Sequence, residues 1–440
     1  MSEPSDGAIV YAAWAALDWG SKKHVWALAG AEAKDLEEGE IEATPESIDA
    51  WAAGLAERFG GQPVAVALEQ SRGALLYTLS KYPHLVLHPV HPTSLARYRE
   101  AFSPSGAKDD APDARLLLDF LRRHPEQLRR WQPDTVPTRT LQFLAEDRRA
   151  LVEERTRQTL RLRARLLCYF PQVVAWFPDL DAPLVGDLLR RWPTLEQLQK
   201  ARPATLRQFF HDHNCRSRQL IEERLDRIGK AVPATHDAAV LQAGMSLVKI
   251  LVEQIALLSQ GIAALEKQLS ELFGQHPDAR LYRSLPGAGP ALGPRLLAAM
   301  GTCRDRYQSA AEIQCYAGIA PVLQRSGQRQ VVHFRRGCPK FLRQTFHEWA
   351  GHSIAFSPWA RAFYQHQRAQ GKGHHAAVRV LAFKWIRILY ACWKNRTPYD
   401  EARYTQALQR RSAPRQPNVP ARFAWERTSG GFFRFKGTVS

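Results

Sequence analysis

Residues 12–30 read AAWAALDWGSKKHVWALAG, and their reading decides the fold of the first third of the chain. Small and aromatic residues fill both arms and Gly20-Ser21 marks a turn between them, which predicts two strands around a tight connection. Next, Pro45 introduces ESIDAWAAGLAERF, where Ile48, Trp51, Leu55 and Phe59 keep helical spacing until Gly60-Gly61 ends the run. PVAVALEQ is a short buried strand following a proline, and LVLHPV is another. Strand, strand, helix, strand, strand within the first hundred residues implies a mixed α/β sheet.

From about residue 140 the pattern changes. TLQFLAEDRRALVEERTRQTLRLRARLLCYF keeps leucines and charges in helical register without Gly or Pro, and HDAAVLQAGMSLVKILVEQIALLSQGIAALEKQLSELF keeps a helical register up to Gly274. Two such helices pair with each other or with those of a second subunit, as a spacer. Between them, 171–235 is rich in Pro and Arg and reads as a helical insertion. The expected organisation is an α/β domain over 1–125, a helical coiled-coil region over 126–277, a mostly helical basic domain over 278–400 and a basic tail over 401–440. After Ala413 the chain turns Pro-, Arg- and Gly-rich, so the tail is expected to be mobile.

The chain has 440 residues, 45% hydrophobic and 24% charged, which excludes disorder for its bulk. No stretch reads as a membrane span, and Ser2, Glu3 and Asp6 precede the apolar run AIVYAAWAAL where a signal peptide needs positive charge. A cytoplasmic protein without membrane association is expected. Charge is unevenly spread: residues 1–120 carry 10 basic and 18 acidic side chains, whereas 280–440 carry 27 and 6. That asymmetry implies one part that grips a polyanion and another that concentrates carboxylates. Cys168, Cys215, Cys303, Cys315, Cys338 and Cys392 form no CxxC pair, so reduced, mostly buried thiols are expected rather than disulfides or a zinc site.

Four carboxylates occupy places suited to metal chemistry. Asp18 ends the first strand, Glu69 ends a later one in VALEQSRG, and Asp110 and Asp113 lie in AKDDAPDARLLLDFLRR. A spacing of three puts the last two on one helical face, where they can share a cation. Carboxylates so placed can hold two Mg²⁺ ions against a phosphate. Taken singly, Asp18 could be a turn residue, Glu69 an exposed strand end and Asp110 a helix cap. Asp109 is a rival ligand that spacing does not exclude.

The basic region opens with SLPGAGPALGPRLLAAMG, read as turn, helix and stop. Gly287 and Gly289 let a backbone approach closely, as in a helix-hairpin-helix phosphate grip, though an ordinary Gly-Pro loop reads the same way. Further on, in YAGIAPVLQRSGQRQVVHFRRGCPKFLRQ, Ser326-Gly327 forms the tip of a loop begun by Pro321 and flanked by Arg325 and Arg329. A serine between arginines can attack a phosphate while the guanidiniums offset developing charge, yet a loop Ser-Gly is commonly only a turn.

LDWGSKKHVWAL, ALEQSRG and AKDDAPDARLLLDFL resemble the Asp-Glu-Asp-Asp motifs of the insertion-sequence 110 family of transposases, including its 1111 branch. Lys108, Asp110, Asp113 and Ala114 match that family's Lys-Thr-Asp-x-x-Asp-Ala motif, with Asp109 where Thr or Ser is usual. PGAGPALGPRLLAAMG followed by YAGIAPVLQRSG is similar to the family's C-terminal transposase domain. The resemblance covers roughly 10–125 and 280–395, leaving 171–235 and the tail outside.

This resemblance implies an RNase H-like (RuvC-like) first domain, with Mg²⁺ held by Asp18, Glu69, Asp110 and Asp113. It also implies Ser326 as a nucleophile that forms a covalent phosphoserine link to DNA. Family members are similar in using an element-encoded structured guide RNA alongside donor and target DNA. Arg325, Arg329, Arg335, Arg336 and Arg343, with Gly287 and Gly289, are then nucleic-acid contacts, although Cys338-Pro339 replaces the usual Asn after Gly337. The long helices make a homodimer or homotetramer the expected assembly. Two rivals remain: a resolvase-like endonuclease using metal-activated water, and a non-catalytic nucleic-acid-binding protein.

Overall fold

The computed structural model describes residues 9–31, 35–69, 73–102, 110–327, 329–412, 424–427 and 433–436, without the side chains of 102, 110–112, 329, 330 and 410 onward. The chain divides into two compact units, Met1–Pro133 and Asp134–Ser440.

The first unit runs β1 (Ala13–Asp18), β2 (Lys23–Gly30), β3 (Glu37–Glu42), α1 (Pro45–Arg58), β4 (Val64–Leu68), α2 (Ala74–Leu79), β5 (Leu85–Pro89), α3 (Pro92–Phe102) and α4 (Asp110–Arg123). The sheet order is β3-β2-β1-β4-β5, with β1 antiparallel to β2, β2 antiparallel to β3, and β1, β4 and β5 parallel. This mixed sheet with helices on both faces is the RNase H-like arrangement expected from the sequence. Thr44 caps α1 by accepting from the Ser47 amide, and Gly60 and Gly61 beyond its end both have positive φ. Alternation divides the sheet: Ala15, Leu17, Val66, Leu68 and Leu87 pack with Ile48, Leu55 and Leu76 on one face. The alanines Ala16, Ala27, Ala29, Ala65 and Ala67 meet Ala114, Leu117, Leu118 and Leu121 of α4 on the other. Small side chains there let α4 lie close to the strands.

The sequence reading missed β3. EEGEIE lacks the apolar character of a strand because it is an edge, and its glutamates face cations instead of a core. Lys23 pairs with Glu40, Arg58 with Glu37 and Arg115 with Glu38. On the inner side Gly39 lies on the Trp26 ring, leaving no room for a Cβ.

In the second unit α5 (Val136–Tyr169) and α11 (Ala238–Gln275) pair with each other within the chain. Arg148 meets Glu266, Arg155 meets Ser259 and Tyr169 meets Gly244, so they run antiparallel. The insertion folds as α6 (Pro171–Trp176), α7 (Pro183–Arg191), α8 (Leu195–Gln199), α9 (Pro203–Asp212) and α10 (Arg218–Lys230). Its Leu188, Phe209 and Phe210 share a core with Leu162, Leu166, Val248 and Leu251 at the hairpin's closed end. At the other end Leu141, Ala145, Leu269 and Phe273 join the C-terminal core. By length and composition α11 could cross a bilayer, against the reading that no stretch could, but Val248, Leu251, Val252 and Ile255 are buried against protein.

The rest comprises α12 (Ala279–Arg283), α13 (Gly289–Met300), α14 (Ala310–Tyr316), a hairpin of β6 (Val322–Ser326) and β7 (Arg329–His333), α15 (Lys340–Phe356), α16 (Pro358–Ala369), α17 (His374–Lys394), α18 (Glu401–Ser412), and a pair β8 (Ala424–Arg427) and β9 (Phe433–Lys436). Trp349 and Trp359 both pack on Trp385 at its centre with tilted rings, and Trp385 donates to the Ser353 hydroxyl at 2.7 Å. Two expectations change. The segment around Ser326 is a β-hairpin rather than a loop, because VLQRS and RQVVH are separated by only two residues. The tail begins as a packed helix, Tyr404 and Leu408 of α18 lying against the core, while most of its remainder is outside the described residues. All six cysteines are free, but only Cys392 is buried.

Candidate functional site

Leu17 of β1 pairs with Leu68, the last residue of β4, so Asp18 ends its strand while Glu69 lies one residue beyond the neighbouring parallel strand instead of ending it. Asp18 lies two residues beyond Ala16 on β1, which directs it toward the face that α4 covers. Asp18 is 6% exposed and Glu69 half-buried. The turn after Asp18 is closed by the Gly20 amide donating to His24 Nδ1 at 3.3 Å. A Cβ at Gly20 would collide with the Lys23 carbonyl oxygen, and burial lowers the His24 pKa, keeping the ring a neutral acceptor.

Asp113 stands at the start of the buried stripe of α4, its side chain 1% exposed. Arg99 of α3 donates to its Oδ1 from Nε at 2.8 Å and Nη2 at 2.5 Å, whereas Oδ2 is buried and has no hydrogen-bond partner among the described residues. A buried carboxylate oxygen left so is costly unless a proton or cation joins it. Asp110 is the first residue of α4, but its side chain, like all of Lys108 and Asp109, lies outside the described residues. Among the described residues no three His, Cys, Asp or Glu side chains are grouped closely enough to hold one metal ion. The donors here are all hard oxygens, the class Mg²⁺ takes. Sequence reasoning missed Arg99, whose link to Asp113 joins two helices.

In the second unit Ser326 ends β6 opposite Arg329, exposed beside exposed Arg325, and Gly327 turns the chain with φ of +56°. The Arg329 side chain is outside the described residues. Arg336 is exposed, and half-buried Arg335 has an Nε without a partner among the described residues. Gly287, with φ of +72°, packs against the α15 backbone, where a Cβ would come within 2.8 Å of His352 and Ser353. Gly289 opens α13 and faces open space.

Arg343 of α15 and Arg379 of α17 stack on the exposed Phe334 ring at 5.1 and 4.1 Å. Beside them His347 Nε2 lies 3.4 Å from His375 Nδ1. Burial pushes His347 below its usual pKa, helped by Arg379, His375 and His374. Burial, then Arg343, does the same to Arg379. Of this cluster sequence reasoning named only Arg343.

A family model described as "Transposase" (DEDD_Tnp_IS110) matches residues 15–171, and one described as "Transposase IS116/IS110/IS902 family" matches 279–365. The chain is 30% identical over 346 residues to the "Mini-circle putative transposase for IS117" of Streptomyces coelicolor, covering 78% of this chain and 83% of that protein. It is 28% identical to the "Insertion element IS110 uncharacterized 43.6 kDa protein" of the same organism, covering 79% and 85%. It is also 28% identical to the "Insertion element IS900 uncharacterized 42 kDa protein" of Mycobacterium paratuberculosis, covering 68% and 75%. With both halves matched in order and most of a relative's length spanned, the chain belongs to the IS110 family of DEDD transposases, enzymes that recombine DNA.

Proposed function

We propose that the protein cuts and rejoins the DNA of its own mobile element through a serine nucleophile, acting in the cytoplasm under the direction of an element-encoded RNA. The observation that carries the serine reading is Ser326 itself, exposed at the end of an arginine-flanked hairpin in the second family-matched region. Its hydroxyl attacks a backbone phosphorus, one phosphoester forms as another breaks, and the serine proton ends on the departing oxygen. Bond number is conserved, so rejoining needs no ATP. Arg325 and Arg329 offset charge on the phosphoryl oxygens.

Asp18, Glu69, Asp110 and Asp113 would hold two Mg²⁺ ions, which when bound polarise the phosphate and stabilise entering and leaving oxygens. The side-by-side placement of Asp18 and Glu69 and the Asp113 Oδ2, unpartnered among the described residues, support that role. Gly289, at an open helix start, offers its amide to a phosphate, and Arg335, Arg336 and Arg343 add charge. The groups act from one chain or from two protomers of a dimer or tetramer.

The test is incubation of protein, element RNA and labelled DNA with Mg²⁺. A protein–DNA adduct mapping to Ser326 is expected. Ser326→Ala should abolish both adduct and cleavage while leaving Mg²⁺ affinity unchanged, whereas Asp18→Asn should weaken metal binding and lower cleavage by at least about 100-fold. Persistent cleavage by Ser326→Ala would instead establish water as nucleophile and a resolvase-like endonuclease.

A further inference from the structure

The chain from Ile313 to Tyr399 contains fourteen Lys and Arg residues but a single carboxylate, Glu348. Glu348 is engaged by Arg295 at 2.5 Å. Among the described residues neither Arg343 nor Arg379 has an ion pair or a side-chain hydrogen bond, although both are half-buried. Two guanidiniums on one ring, with a facing pair of imidazoles nearby, concentrate cationic and donor groups without a protein counter-charge. Such a grouping repels itself unless an anion joins it. Arginine's flat fork suits phosphate oxygens, and stacking on Phe334 orders both forks before a ligand arrives.

We propose that Phe334, Arg343, Arg379, His347 and His375 form a binding site for a backbone phosphodiester of nucleic acid. Arg343 and Arg379 are the direct ligands, Phe334 their platform, and the histidines supply further donors on the rim. The source is a nucleic-acid strand rather than a free anion because Phe334 directly follows β7, so the cluster begins where the Ser326 hairpin ends. A strand held here runs on to that hairpin. The proposal rests on the reading of the chain as a nucleic-acid recombinase and deepens it by adding Arg379, His347 and His375.

The experiment measures binding of the full chain to a labelled random-sequence DNA duplex and to a labelled RNA hairpin across a range of salt. Every protein carries Ser326→Ala and is held in EDTA, so a wrong assignment of the nucleophile leaves the result untouched. Arg379→Gln should lower affinity about tenfold and flatten the slope of log K against log salt by about 0.9. The arm that changes, DNA or RNA, identifies the strand bound. Arg343→Gln should behave likewise and carries the test alone if Arg379→Gln fails to fold. Arg387→Gln, which removes an exposed charge from the same helix, is the control and should alter affinity less than about twofold. Unchanged affinity and slope in both arms, equal losses for Arg387→Gln, or competition by inorganic phosphate alone with no effect of strand, overturns the proposal.

Discussion

Residues 171–235 and residues 313–399 are both rich in arginine, and the structure treats them in opposite ways. In the insertion ten Lys and Arg stand among eight Asp and Glu, and three of the cations form ion pairs: Arg190 with Asp187 and Glu253, Arg207 with Glu222, Lys230 with Asp226. Asp181, near its start, meets Arg155 of α5. In the C-terminal region Arg343 and Arg379 share a phenyl ring and no carboxylate. A count of positive residues therefore does not locate a nucleic-acid surface; an excess of cations over nearby carboxylates does. The insertion is a helical module of nearly balanced charge, and the excess charge is concentrated beyond it.

The strongest way to break this contrast is through the two cores. Phe210 is fully buried in the insertion and Trp385 fully buried in the C-terminal core. Truncating either to Ala should cost about 3–5 kcal/mol in denaturant unfolding. At a temperature where each variant is still folded, Phe210→Ala should bind nucleic acid like the parent, whereas Trp385→Ala, which also removes the indole donor to the Ser353 hydroxyl, should bind weakly. Equal losses would mean that the insertion takes part in the grip.

Histidine titration gives a smaller and sharper reading. Burial lowers the His213 pKa, but the Asp187 hydrogen bond, the Phe209 carbonyl and nearby carboxylates outweigh it, so the net shift is upward. His347 is shifted downward by burial and its cationic neighbours, Glu348 opposing only in part. The raised group stabilises the fold fully below the unfolded value near 6.5 and loses that contribution as pH rises through its folded pKa. The lowered group does the reverse, its contribution being complete above about 6.5 and lost as pH falls toward its folded pKa. Proton NMR of the imidazoles should place His213 above and His347 below 6.5, and a common value would erase the distinction between the regions.

The smallest effect is expected at the paired surface. Arg190→Gln and Arg207→Gln should each change stability by no more than about 0.5 kcal/mol, as exposed pairs do. Together they should leave the salt dependence of nucleic-acid binding unchanged. A flattened slope would show that these ion pairs open to phosphate.

Local patterns carry most of what the sequence revealed. Gly20-Ser21, Pro45 and Gly60-Gly61 punctuate the first sheet and its helix, and the places of Asp18 at a strand end and Glu69 just beyond one follow from that punctuation. The glutamates of β3 hide a strand because an edge needs no apolar pattern when cations cover it. The hairpin around Ser326 reads as a loop because its strands expose apolar and polar residues alike, Leu323 and Val332 included. Arg99 with Asp113, and Phe334 with Arg379, are tertiary pairings without a local period. One signal for the second did stand in the sequence: the lone carboxylate between Ile313 and Tyr399.

The antiparallel α5–α11 hairpin carries one further consequence. Gly244 lets its helix press onto the Tyr169 ring, where a Cβ would come within 2.7 Å. The insertion core at one end and the tryptophan core at the other are thus separated by a stiff strut of set length, at a rise of about 1.5 Å per residue. Excising one matched heptad from each arm would draw the two ends together by about 10 Å while preserving the seam's facing. Spacing within this unit is therefore adjustable in whole heptads, independently of the chemistry mounted on it.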